Sequence, residues 1–138
     1  MEFLNYTLGD WIDKIAAEYP DNLAVAYTDK YDYRRTYKEF VAECDKIARS
    51  FLALGVKRGD HIAIWSTNTP QWILTLFAAA KIGAVLVTVN TAYKIHEAEY
   101  LLKQSDTNFL VTSEGFKDSN YIDILNRLCP EISEPGCD

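Results

Sequence analysis

Imidazole and thiol groups, the side chains best suited to nucleophilic and metal chemistry, are few in this 138-residue chain and stand far apart. There are two histidines, His61 and His96, and three cysteines, Cys44, Cys129 and Cys137. Thiolate and imidazole metal sites need ligands at short, fixed intervals, and no CxxC pair or His/Cys cluster occurs. The thiols read as reduced structural cysteines, and no metal site is expected. A serine or cysteine nucleophile needs an adjacent base held by a third group, and neither histidine has partners at such a spacing. No catalytic residue is therefore expected. His61 opens a strand and reads as a partly exposed structural residue. His96 falls in the first turn of a helix, just after the loop Asn90–Lys94, and two readings stand for it: a structural residue, or a contact to ligand beyond a strand end.

Two loops invite a binding role. Gly55-Val56-Lys57-Arg58-Gly59 has two glycines and two cations, as a phosphate loop would. Its spacing fits neither GxxxxGKS/T nor GxGxxG, and it precedes a strand instead of following one. It reads as a helix cap followed by a surface turn. The sharper candidate is Thr88–Tyr93. In open parallel sheets, ligands sit beyond the carboxyl ends of the strands. Asn90, Thr91 and Tyr93 fall there, after an apolar strand and before a helix N-terminus that attracts anions. The competing reading is a polar loop built on an Asn turn.

The elements that must position this loop follow from periodicity. Thr7-Leu8-Gly9-Asp10 and Thr36-Tyr37-Lys38-Glu39 have the form of capping boxes. Leu8, Trp11, Ile12 and Ile15 follow the first at helical spacing, and Tyr19-Pro20-Asp21 stops that helix. Leu23–Tyr27 and Tyr33–Thr36 read as the arms of a hairpin turned by Thr28–Asp32. Phe40, Cys44, Ile47, Ala48 and Phe51 form the apolar stripe of a second helix, ended at Gly55. His61–Trp65 is a short strand. Thr69-Pro70 opens a helix that is apolar on nearly every face and ends at Gly83. Ala84–Val89 is a continuous apolar run, expected to be the most buried strand of a parallel sheet. A helix from Ile95 to about Gln104, a buried strand at Phe109–Val111 and a last helix carrying Tyr121, Ile124, Leu125 and Leu128 complete the pattern. Alternation of strand and helix predicts an α/β fold: a three-layer sandwich with a mostly parallel sheet, preceded by an N-terminal helix and a small β-hairpin.

Bulk properties narrow the function classes. The net charge is -6, with acidic residues spread along the chain, so nucleic acid is not an expected partner. No apolar run reaches the ~18–20 residues of a membrane span. Met1-Glu2-Phe3-Leu4-Asn5 has neither a basic n-region nor an apolar h-region, and the expected compartment is the cytoplasm. Glu134–Asp138 reads as a truncated linker leading elsewhere.

Six segments in register resemble the adenylate-forming acyl-CoA synthetases. Thr36–Phe40 is similar to their TYxEL opening, and Gly55–Ile64 to GVkpGDrVai. Asn68-Thr69-Pro70-Gln71-Trp72 resembles NspeW, and Ala79–Val85 resembles aalkaGAv. Val87–Tyr93 stands where the family has vPlNpxy, and Glu99–Asp106 resembles Elxyilxdsd. The resemblance runs from about Leu8 to about Pro130. Thr88 replaces the usual proline, which is closer to the fatty-acyl and medium-chain CoA synthetases.

The resemblance implies a two-step ligase. A carboxylic or fatty acid reacts with ATP and Mg to give an acyl-adenylate, and CoA then displaces AMP. It also implies that the loop after Ala84–Val89, with Asn90, Thr91 and Tyr93, lines the CoA channel, and His96 joins them as a candidate for the CoA or substrate channel from its place just after that loop. The family's phosphate-cradling loop, its Thr-Glu pair, its ribose-binding Asp and its C-terminal lysine have no counterpart in this sequence. The chain is therefore expected to be an incomplete N-terminal piece of a larger adenylation domain, residues 1–138, inactive alone and binding no cofactor itself. An uncovered face would favour self-association. The alternative is a free-standing flavodoxin-like module that binds a nucleotide, CoA or a protein without catalysis.

Overall fold

The computed structural model describes residues 5–28 and 30–133. The N-terminal four residues, Asp29, and the tail from Glu134, with Cys137 and the expected linker, lie outside the described residues. The chain divides into two compact units. One comprises Met1–Asp60 and Asn68–Leu86, the other His61–Thr67 and Val87–Asp138.

The first unit holds helix α1 (Leu8–Glu18), strands β1 (Leu23–Tyr27) and β2 (Tyr33–Thr36), and helices α2 (Tyr37–Ala53) and α3 (Pro70–Ile82). Both capping boxes are formed. The Thr7 hydroxyl accepts from the Asp10 amide at 3.1 Å, and the Asp10 carboxylate accepts from the Thr7 amide at 3.3 Å. Thr36 and Glu39 repeat the exchange at 3.3 and 2.9 Å. Hydrogen bonds from the threonines hold both carboxyls below their ordinary range. The hairpin pairs antiparallel, with Tyr27 opposite Tyr33 and Val25 opposite Arg35. Ile12, Phe40, Cys44 and Leu74 form the core, and Phe77 meets Phe40 edge-on with ring centres 5.4 Å apart.

Helices α1 and α3 approach backbone to backbone at Gly9, where a Cβ would lie 2.9 Å from the Lys81 Cα. Lys81, on α3, reaches Asp13 on α1 and Asp45 on α2, the latter at 2.6 Å. Pro70 opens α3, but the Thr69 side chain makes no cap bond; Gly83 closes it at φ 71°. Gly55–Gly59 is the cap and turn expected of it. Gly55 and Gly59 lie at φ 90° and 89°, and the Lys57 amide donates to Asp60 at 2.7 Å.

The second unit contains β3 (His61–Trp65), helix α4 (Ile95–Gln104), β5 (Thr107–Thr112), a hairpin of β6 (Gly115–Phe116) and β7 (Ser119–Asn120), helix α5 (Tyr121–Leu128) and a 3₁₀ turn at Pro130–Ser133. Strand β4 (Val85–Thr88) enters this unit with Val87. The sheet order is β4-β3-β5. Strands β3 and β5 run parallel, with Ile64 opposite Val111 and Trp65 opposite Thr112. Ile62, Ala63, Ile64 and Trp65 are all buried, so both faces of β3 are covered. One face is covered within the unit by α4 and α5, whose Ala98, Tyr121, Ile124 and Leu125 join Ala63, Trp65 and Val89.

Two expectations are corrected here. The most buried strand is β3, not Ala84–Val89: β4 occupies an end of the sheet order, and Val85 is 46% exposed. The strand expected at Phe109–Val111 is longer and only partly buried, because β5 occupies the other end. Apolar content alone does not tell a central strand from a flanking one. The β6–β7 hairpin is too short to leave a periodic signal. It depends on Gly115, where a Cβ would stand 2.2 Å from the Ser119 carbonyl oxygen.

Candidate functional site

The loop after β4 leaves the sheet at its carboxyl edge, where the Val89 amide still donates to the Ile64 carbonyl at 3.0 Å. It then turns tightly. The Asn90 side-chain oxygen accepts from the Ala92 amide at 2.9 Å, and the Asn90 carbonyl accepts from the Tyr93 amide at 3.1 Å. Both bonds are those of an Asn turn. The buried core supplies two more donors. The Trp65 indole N–H donates to the Asn90 carbonyl at 3.1 Å, and the Tyr121 hydroxyl donates to the Thr91 carbonyl at 2.8 Å. Trp65 and Tyr121 are wholly buried and stacked, with centroids 4.1 Å apart and planes 18° from parallel. Burial pushes the Tyr121 hydroxyl above the ordinary tyrosine range, which keeps it protonated and a donor.

Beyond the turn, Lys94 donates to Ser119 at 2.7 Å and pairs with Asp118 at 2.9 Å, tying the loop's end to the β6–β7 hairpin. The Glu97 carboxylate accepts from the Lys94 amide at 3.2 Å at the start of α4. Tyr93, His96, Glu97, Tyr100 and Leu101 then line a cavity of about 340 Å³. Tyr93 and Leu101 also pack on the core, whereas Tyr100 is 69% exposed.

Of the four residues singled out by sequence, the fold thus brings Tyr93 and His96 to one cavity. Asn90 and Thr91 stand just before it, with their carbonyls held by the core. Glu97, Tyr100 and Leu101 were missed, although positions 93, 96, 97, 100 and 101 have the three-and-four spacing of one helix face. Trp65 and Tyr121 were missed too, and no local pattern marks them, since each acts on a residue at least 25 positions away.

Cys44 and His61 belong to the scaffold, whereas Cys129 is a free, exposed thiol at the end of α5. Cys44 is fully buried, and burial pushes its thiol up to about 12, which keeps it from acting as a nucleophile at neutral pH. The His61 ring bonds the Ser105 carbonyl and its amide donates to Asn108 at 3.1 Å, both structural contacts. Among the described residues no three His, Cys, Asp or Glu side chains stand together as metal ligands. Among them, too, no helix is long and apolar enough to cross a membrane.

Comparison with known proteins places this scaffold. The profile of the family described as AMP-binding enzyme matches residues 12–136. The chain belongs to that family. The putative acyl-CoA synthetase YngI of Bacillus subtilis is 44% identical to this chain over 98% of the chain's length, which corresponds to 25% of YngI. The mitochondrial medium-chain acyl-CoA ligase ACSF2 of Danio rerio is 37% identical over 94% of the chain and 22% of the ligase. A putative long-chain-fatty-acid CoA ligase of known structure, from Rhodopseudomonas palustris, superposes with a TM-score of 0.79 at 29% identity. That match covers 91% of this chain and 30% of the ligase. The chain therefore spans about a quarter of the length of these curated relatives.

Proposed function

We propose that this chain is the N-terminal part of an AMP-forming acyl-CoA ligase. The whole enzyme, needing ATP and magnesium, would join a fatty or medium-chain carboxylic acid to AMP and then pass the acyl group to CoA. The observation that carries this reading is the 44% identity to a putative acyl-CoA synthetase across nearly the whole chain. Residues 1–138 serve as one scaffold, 134–138 lead into the rest of the enzyme, and the cytoplasm is the compartment. No reaction step is assigned to a group in this chain.

The part of the reading that concerns these residues is the loop. Asn90, Thr91, Tyr93 and His96 line the CoA or substrate channel. Glu97 on the cavity and the engagement of Lys94 by Asp118 make a poor phosphate site, whereas Tyr93, Tyr100 and Leu101 suit an uncharged chain such as the amide arm of CoA.

Two measurements test this. The 138-residue chain, given ATP, magnesium and a C8–C16 acid, is expected to release pyrophosphate no faster than a buffer blank, while the full-length polypeptide forms acyl-AMP and acyl-CoA. Turnover by the short chain, or none by the long one, overturns the proposal. In the full-length enzyme, Tyr93→Ala is expected to raise KM for CoA by about tenfold, the size of one lost contact of ~1.4 kcal/mol, with KM for ATP unchanged. An unchanged KM for CoA removes the loop from the channel.

A further inference from the structure

Loop 90–93 holds its shape through two side chains that never reach the cavity. Asn90 and Thr91 present consecutive carbonyl oxygens inward, one to the Trp65 indole N–H at 3.1 Å and the next to the Tyr121 hydroxyl at 2.8 Å. The Asn90 carbonyl also accepts from the Tyr93 amide at 3.1 Å. The core bond and the turn bond thus share one oxygen and orient one peptide plane. The two donors are not free to follow a wandering loop. Their rings stack 4.1 Å apart, both are fully buried, and Ala63, Ala98, Ile124 and Leu125 surround them. Aromatic rings packed at this density sit in single rotamers, and a buried carbonyl left without its donor is penalised.

We infer that Trp65 and Tyr121 are positioning residues: their stacked pair fixes the peptide planes of Asn90 and Thr91 and so sets the angle at which Tyr93 faces a bound ligand. The inference rests on the loop being part of the CoA channel and adds the residues that hold it in register. Tyr121 comes from the start of α5 and Trp65 from the end of β3. The ligand loop is therefore set by the second unit's own core and does not depend on the loop's local sequence alone.

The test uses the full-length ligase and CoA itself. Tyr121→Phe keeps the stack and removes only the hydroxyl; Trp65→Phe keeps an aromatic ring and removes the N–H. Each is expected to raise KM for CoA about tenfold, with kcat and KM for ATP within about twofold, as for loss of one buried hydrogen bond that orients a binding group. Hydrogen exchange at the Ala92 and Tyr93 amides is expected to speed up in both. Phe40→Leu, in the core of the first unit, serves as the stability control and is expected to leave KM for CoA and that exchange unchanged. If Tyr93→Ala raises KM for CoA but Tyr121→Phe and Trp65→Phe move neither KM nor exchange, positioning is overturned while the channel reading stands. If Tyr93→Ala also leaves KM for CoA unchanged, the channel reading fails and takes this inference with it. A Tyr121→Phe enzyme whose KM rises equally for every substrate reports general instability and likewise overturns it.

Discussion

Trp65→Ala is expected to lower the unfolding free energy by about 3–5 kcal/mol, the range found when a fully buried large aromatic side chain is truncated. Trp65 has no exposed surface and sits at the carboxyl end of β3, the central strand. Its loss opens a cavity beside Ala63, Val89 and Ala98 and removes the ring on which Tyr121 stacks. Neighbouring side chains are held by strand and helix backbones, so the space does not collapse readily. The substitution also strands the Asn90 carbonyl from its core donor. Urea unfolding of the 138-residue chain measures the effect, since a loss of this size shifts the midpoint by more than about 1 M at ordinary slopes. A shift equivalent to less than about 1 kcal/mol would show that the stack adds little beyond ordinary contact and that the site repacks. Trp65→Phe should recover most of the loss, because it refills the volume without the indole N–H.

Trp65 also marks how far the sequence could be read. Devices confined to four or five residues were legible: the Thr7–Asp10 and Thr36–Glu39 boxes are decided by the local chain, as are the ends of α3 at Pro70 and Gly83. The order of strands was less so. Val85-Leu86-Val87 is as apolar as Ile62-Ala63-Ile64, and only the β4-β3-β5 arrangement decides which run becomes the centre. Burial there depends on where the crossovers return the chain, a non-local property without a periodic trace. The candidate loop was legible as a place, because parallel strands deliver loops to one edge. Its internal hydrogen bonding was legible only in part. An Asn turn follows from Asn90 itself, but the clamp by Trp65 and Tyr121 joins residues 25 and 30 apart. The cavity residues Glu97, Tyr100 and Leu101 fall between these cases: their spacing was visible, but nothing local showed that this face of α4 stays open.

Raising the pH above about 9 is expected to destabilise the first unit steeply, and Cys44 sets the onset. Its thiol is buried in one core cluster with Phe40 and Leu74, and burial raises it from an ordinary 9.0 to about 12; the charge of Lys81 opposes this, and those of Asp45, Glu43 and Asp13 add to it. Above pH 9 the unfolded chain gives up this proton while the folded chain keeps it. The folded state then binds more protons, and stability falls as pH rises, by about 1.4 kcal/mol per unit for one such group until the folded thiol itself ionises. Two neighbours act with the same sign. Burial opposes the charge of Lys81, but hydrogen bonds and charge from Asp13 and Asp45 outweigh it and leave its pKa raised; that stabilisation is full below the ordinary lysine value and fades above it. Burial, with the hydrogen bond to Glu43, raises Tyr33 as well, so it too resists ionising in the folded state. Urea midpoints followed from pH 8 to pH 11 should therefore begin to drop near pH 9 and approach a slope of about one proton near pH 10. Cys44→Ala lowers stability at pH 8 by removing a buried sulfur, yet it should flatten the slope between pH 9 and about 10.5 by about one proton, because no thiol remains to ionise on unfolding. An unaltered slope in Cys44→Ala would mean that the folded chain lets the thiol ionise as easily as the unfolded one, and that the core around Phe40 admits water on the timescale of the measurement.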